Sequence, residues 1–158
     1  MASNRQDHFQ SVLSALPRWL DELMAAPASP RASHQPIPNG PGIYCFSENG
    51  QPLYVGQTRK LRTRLRQHTS PTASHYSATF AYRLAVEAAE QRGVPVNDTR
   101  GTLSIRADFA PLFTEAKNRV ANMDVRFMVM RDPIERTIFE VYAALHLGTE
   151  HYNSFETH

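Results

Sequence analysis

Between Asp7 and Ala25 apolar residues recur at Phe9, Val12, Leu13, Leu16, Trp19, Leu20, Leu23 and Met24. Steps of three and four place them on one stripe and predict an amphipathic helix, interrupted or bent near Pro17. That stripe suits packing on the main domain, or an oligomer or partner surface. From Ala26 to Pro41 the period is lost among five prolines, which predicts an extended connector. The period then becomes two. Gly42 to Phe46 and Pro52 to Gly56 are short β-prone runs around "SENGQ", whose Asn49-Gly50 pair signals a hairpin turn. Arg59 to His68 predicts a helix, broken by "SPTAS". A second helix is expected over Ser77 to Gln91, a loop at "GVPVNDTRG", and a third helix over Ala107 to Asn122. Asp124 to Met130 reads as a strand with Val125, Phe127 and Val129 on one side. Asp132 as N-cap and Pro133 at the first position open a last helix that stops at Gly148. The order predicts an α/β (α+β) domain with a small three-stranded, mainly antiparallel sheet flanked by helices. It would occupy residues 41–158, with a helical insertion at about 70–123, behind a helix-and-connector region at 1–40.

A chain of 158 residues, 41% hydrophobic and 20% charged, is sized for one packed domain. No apolar run approaches the roughly 20 residues that span a bilayer, and "MASNRQDHFQ" lacks the layout of a secretory signal. A single cysteine, Cys45, excludes an internal disulfide. These features predict a cytoplasmic setting and no membrane partner. The net charge is only +2, but Gln51 to Arg106 holds nine basic and three acidic residues. Such asymmetry suits a face that meets phosphate, and equally a solvated basic helix.

Alternation along the hairpin sets Ile43 and Cys45 on one face, Tyr44 and Phe46 on the other. In the second run Leu53 and Val55 oppose Tyr54. Both phenols can therefore share a side as cross-strand neighbours, an arrangement that packing alone also favours. On the following helix Leu61 and Leu65 mark the buried stripe. Lys60, Arg64 and His68 stack beside it at intervals of four, while Arg59, Arg62 and Arg66 face water. Arg64 thus stands at the boundary between core and solvent, where a guanidinium can be aimed at phosphate oxygens.

These residues resemble the GIY-YIG nuclease superfamily from about Pro41 onward. Gly42-Ile43-Tyr44 is the first half of its signature. Tyr54-Val55-Gly56 is the second, with valine for the usual isoleucine. Arg64 follows Tyr54 by ten residues, His68 stands one helical turn later, and Glu140 and Asn153 match a helix glutamate and a later asparagine. The resemblance implies an endonuclease that hydrolyses phosphodiester bonds of DNA with one Mg²⁺ or Mn²⁺ ion. Single-stranded or branched DNA and RNA stay open as substrates. Tyr44 would be the general base for water; with an ordinary phenol pKa of about 10 it needs a nearby cation to ionise. Tyr54 would position phosphate or water, Arg64 would stabilise the transition state, and His68 would share the base role or bind phosphate. Glu140 would hold the metal, and Gly56, Gln57, Lys60 and Asn153 would face the substrate. A buried Glu140 needs a partner, either a metal or an arginine. Ile134, Ile138, Val141 and Leu145 read as the apolar stripe of that helix, with Glu135 as the rival carboxylate on another side.

Two departures stand out. Gln57 occupies a position where the family often has lysine, and the insertion is longer than in minimal modules. His75 and Arg83 are further candidates for phosphate contact, and Glu156 and His158 for proximity to the site. The insertion and the N-terminal helix are candidate homo-oligomer surfaces. The alternative is a catalytically inactive nucleic-acid-binding or protein-interaction module on the same fold. Nothing resembles a base-reading motif such as a zinc finger or basic zipper.

Overall fold

The computed structural model describes residues 2–30 and 36–155, so part of the connector and both Glu156 and His158 lie outside the described residues. In chain order the elements are α1 (Ala2–Ala25), β1 (Ser29–Pro30), β2 (Gly42–Glu48), β3 (Gln51–Thr58) and α2 (Leu61–Thr69). They continue with α3 (Thr79–Gln91), α4 (Arg100–Ile105), α5 (Ala110–Ala121), β4 (Asp124–Val129) and α6 (Pro133–Leu147). The α/β class and the antiparallel pairing agree with the sequence reading. The sheet has four strands rather than three, in the order β1-β4-β2-β3. The addition is β1, a two-residue edge in the connector that pairs Ser29 with Val125 and Pro30 with Asp124. Two residues show no alternation, and proline is tolerated on an edge because its missing N–H faces outward.

The β2–β3 turn carries positive φ at Asn49 (52°) and Gly50 (77°). That geometry matches the twist of the flanking strands and is why Asn-Gly is found there. The register slips past the turn: Ser47 faces Pro52, yet Phe46 faces Tyr54. Leu53 is thus the extra residue of a bulge. It packs in the same cluster as Tyr54, not with Val55 as simple alternation predicted.

Both faces of the sheet are covered. Ile43, Cys45 and Val55 pack with Leu16 and Leu23 of α1 and with Phe139 and Ala143 of α6. Tyr44 and Phe46, on the opposite face, pack with Leu61 and Leu65 of α2, Phe80 of α3 and Phe113 of α5. Helix α1 runs through Pro17 without a break in assignment. Trp19 reaches the Phe139 ring edge-on at 5.9 Å, so α1 shares the domain core.

Helix α6 begins and ends as expected. Asp132 Oδ1 accepts from the amides of Ile134 (2.8 Å) and Glu135 (3.0 Å), and Gly148 closes it at φ 67°. Its buried face differs from the expected one. Phe139, Ala143, Ala144 and Arg136 are buried, whereas Ile134 and Leu145 are 63% and 61% exposed. The sequence offers two apolar stripes, and the sheet and α1 take the one centred on Phe139. In the insertion, α4 replaces part of the expected loop; the Thr99 hydroxyl caps it by accepting from Thr102 N (3.3 Å).

Strand β3 is an edge, and its middle is covered by one side chain. Asn153 Oδ1 accepts from Val55 N (3.3 Å) and Asn153 Nδ2 donates to Val55 O (2.5 Å). Thr149 Oγ1 donates to the same Oδ1 at 3.1 Å. The amide thus acts as one residue of a missing neighbouring strand. Asn153→Ala strands both Val55 backbone groups, and we expect a loss of about 1–3 kcal/mol in urea denaturation, with faster hydrogen exchange at the Val55 amide.

Candidate active site

Tyr44 points into the half-core formed by α2 and α3 and is 1% exposed. The sequence placed it on an open side of the hairpin; the insertion helices bury that side instead. Its hydroxyl reaches His68 Nε2 at 2.8 Å. It does so across Gly56, its cross-strand partner. A Cβ at Gly56 would run into Tyr44 Oη and Cζ, so the backbone there has to be glycine. Tyr54 lies diagonally from Tyr44, with ring centroids 6.2 Å apart, and stacks on Phe80 at 4.7 Å.

Arg64 Nη1 donates to Ser77 O (2.8 Å) and Nη2 to Thr79 Oγ1 (3.2 Å), fixing the plane of the guanidinium. Both phenol oxygens feel its charge. Burial alone would weaken that charge, but the two phenols more than offset it and hold the Arg64 pKa above its ordinary value. Burial, reinforced by Tyr54, pushes Tyr44 well above an ordinary phenol; Arg64 pulls the other way. The Glu140 charge also pushes it upward. Burial and then Arg64 hold His68 well below the usual imidazole range, so its ring is neutral near pH 7. His68 Nδ1 is buried without a partner among the described residues. A bare acceptor is tolerated more readily than a bare buried N–H. That favours the tautomer with its proton on Nε2, donated to the Tyr44 oxygen.

Glu140 is held from β3 rather than by an arginine. Gln57 Nε2 donates to Glu140 Oε2 (2.8 Å) and to Thr137 Oγ1 (3.2 Å), while Gln57 Oε1 accepts from Arg136 Nε (3.1 Å). Burial raises the Glu140 carboxyl above the usual carboxylate range, against the pull of Gln57 and the Arg136 charge. Glu140, Tyr54 and Asn153 line a cleft of about 200 Å³ with Thr79, Arg83, Arg100, Tyr152 and Ser154. The cleft wall therefore brings together four residues the sequence nominated. Tyr44, Arg64 and His68 form a polar chain in the second layer, joined to the wall through Thr79 and Tyr54.

Other nominated residues lie elsewhere or are already engaged. Lys60 is exposed ahead of α2 and is not on the cleft wall. Asn153 spends both ends of its amide on Val55. Gln57 bridges Arg136 and Glu140. Glu135 sits in the first turn of α6, where its charge suits the helix N-terminus. His75 Nδ1 meets Ser104 Oγ at 3.2 Å, away from the cleft. Arg62, expected to face water, donates from Nε to Ile37 O (2.9 Å). Sequence reading missed Arg100, Thr79 and Tyr152, because no spacing rule links the insertion and the C-terminal turn to the hairpin. Among the described residues no three His, Cys, Asp or Glu side chains gather as a metal-ligand set.

Residues 40–94 match the family model described as the GIY-YIG catalytic domain. The chain is 33% identical over 98 residues to the UvrABC system protein C of Kocuria rhizophila, covering 59% of this chain and 14% of that protein. It is 41% identical over 59 residues to the same-named protein of Renibacterium salmoninarum, covering 37% of this chain and 9% of that one. It therefore spans a small part of the curated relatives it matches. Among solved structures it is similar to the GIY-YIG N-terminal endonuclease domain of UvrC from Thermotoga maritima, a point mutant bound to the catalytic divalent cation. That similarity has a TM-score of 0.38 and 16% identity, covering 85% of this chain and 92% of that chain.

Two outcomes test the geometry. Gly56→Ala forces the Tyr44 ring aside, and we expect a loss of about 1–3 kcal/mol in denaturant titration. His68 is depressed when folded, so the unfolded chain binds the extra proton below pH about 6.5. Stability contributed by the neutral ring is present above that pH and is lost as pH falls toward the folded pKa. The slope approaches about 1.4 kcal/mol per pH unit for one proton. Stability measured from pH 7 to pH 5 should fall more steeply for the parent protein than for His68→Gln; equal slopes would exclude a neutral buried imidazole.

Proposed function

We propose, on the premise that residues 40–94 belong to the GIY-YIG catalytic-domain family, that the chain is a metal-dependent endonuclease acting on DNA. The supporting observation is the cleft itself. It is lined by one half-buried carboxylate, two tyrosines and two arginines around a space of about 200 Å³. That space is of a size for a phosphate and an ion.

The donor set fits one hard divalent cation. Glu140 is a single oxygen ligand whose buried charge lacks a direct cationic partner, and Mg²⁺ commonly takes one carboxylate with waters and phosphate oxygens. When bound, the ion neutralises Glu140, polarises the phosphate and favours ionisation of nearby acids. The chain's own groups do the rest. Arg83 holds the phosphate at the cleft wall. Tyr54 orients it with its hydroxyl. Tyr44 is the base, its phenolate oxygen receiving a hydrogen bond from His68 Nε2 and facing the Arg64 charge. Arg64 keeps that oxygen's negative charge in place rather than meeting bulk solvent. Gln57 and Arg136 keep the Glu140 carboxylate aimed.

The second reading is a binding module without turnover. It is favoured by one observation: Tyr44 is enclosed and its proton is held tightly by burial. One assay separates the two. Supercoiled plasmid incubated with the protein and Mg²⁺ or Mn²⁺ should be nicked. Tyr44→Phe and Glu140→Gln should each lower the rate about a hundredfold or more. Absence of nicking with either ion leaves only the binding module; full activity in Glu140→Gln removes Glu140 from the reaction.

A further inference from the structure

A larger cavity lies beside the cleft at Glu140. Arg83, Arg100 and Tyr152 line both, so the two adjoin along these side chains. The second cavity measures about 560 Å³, within the range of nucleotide-sized ligands. Its walls come from α3, from Arg100 and from the C-terminal turn, none of which belongs to the hairpin.

Charge is graded across the two cavities. The two arginines stand where the cavities meet, and Glu87 and Glu90 line only the larger one. A phosphodiester backbone continuing past the arginines would run into two carboxylates. A base would not: it carries no charge, and its amino edge can donate to the exposed Glu90. The walls also offer fixed flat surfaces. The Arg100 guanidinium lies over the Tyr82 ring at 5.1 Å. The Tyr152 hydroxyl donates to Glu87 Oε2 at 2.5 Å, its carbonyl accepts from Arg83, and its ring meets Phe80 edge-on at 5.5 Å. A planar guanidinium and a phenol held in place are the stacking partners that single-strand binding sites use.

We propose that this groove receives an unpaired base of a DNA strand, next to the phosphate held between Arg83 and Glu140. The substrate is then a strand whose nucleotide beside the cut is out of the stack. This rests on the nuclease reading for the phosphate end, while base capture is measurable without turnover.

The test uses the Glu140→Gln protein and fluorescence anisotropy. Three probes are compared: a single-stranded oligodeoxycytidylate, an abasic oligonucleotide of equal length, and a fully paired duplex. The base-bearing strand should bind roughly five- to a hundredfold more tightly than the abasic one, and more tightly than the duplex. Val86→Trp fills the groove and should bring the two single strands to equal affinity. Arg100→Ala removes the guanidinium plane over Tyr82 and should reduce the preference. Equal binding of base-bearing and abasic strands, or a preference that survives Val86→Trp, overturns the proposal even if plasmid is nicked. Base preference with no nicking by the parent protein overturns the nuclease reading and leaves the groove assignment standing.

Discussion

The site depends on a missing side chain. Tyr44 and Gly56 face each other across the β2–β3 pair, and the phenol lies where any Cβ on Gly56 would be. That close approach brings the hydroxyl to His68 Nε2, which α2 carries from the far side of the core. Gly42 repeats the device one strand end away, where a Cβ would meet Met128 O and Leu61. The glycines of the two signature tripeptides are therefore packing requirements. They let a helix and an aromatic ring sit directly on strand backbone, and interiors packed to crystal-like density do not yield easily to an added methyl group.

Gln57 is the second fixed point, and it changes the meaning of an apparent absence. Read from sequence, a neutral amide at this position looks like a lost phosphate contact. In the fold it donates to Glu140 and accepts from buried Arg136, so a cation and a carboxylate on one helix are linked through a neutral strand residue. A direct Arg136–Glu140 pair would have quenched the carboxylate. The relay orients it and keeps the guanidinium from pairing with it directly. Positive charge at the cleft comes instead from Arg83 and Arg100, both from the insertion.

Legibility followed the range of the interactions. The Asn49-Gly50 turn and the Asp132-Pro133 and Gly148 boundaries of α6 are local, and sequence reading placed them correctly. Periodicity failed where tertiary packing chose between options. Helix α6 has apolar residues on two sides, and only the position of α1 and the sheet decides that Phe139 is inside while Leu145 is not. The bulge at Leu53 and the short β1 strand depend on register and on a distant partner, so alternation over a few residues cannot reveal them. Spacing brought Tyr54, Glu140 and Asn153 to one wall. It could not indicate that Tyr44 would be enclosed, because α3 and α5, which help to enclose it, begin only at Thr79 and Ala110.

The C-terminal turn ties these parts together. Thr149 and Asn153 fasten it to Val55 on the edge strand, while Tyr152 engages Glu87 and Arg83 on α3. One short segment after α6 therefore bridges the signature hairpin and the insertion, and both the cleft and the larger groove exist only while that bridge is made. The contacts of Thr149 and Asn153 are buried, and those of Tyr152 with Glu87 and Arg83 are half-exposed. Exposed polar contacts of this kind open more readily than a core of Phe46, Phe80 and Phe139. Behind the wall Tyr54 and Tyr152 both rest on Phe80, whereas the Tyr44–His68 pair is fixed inside the core itself.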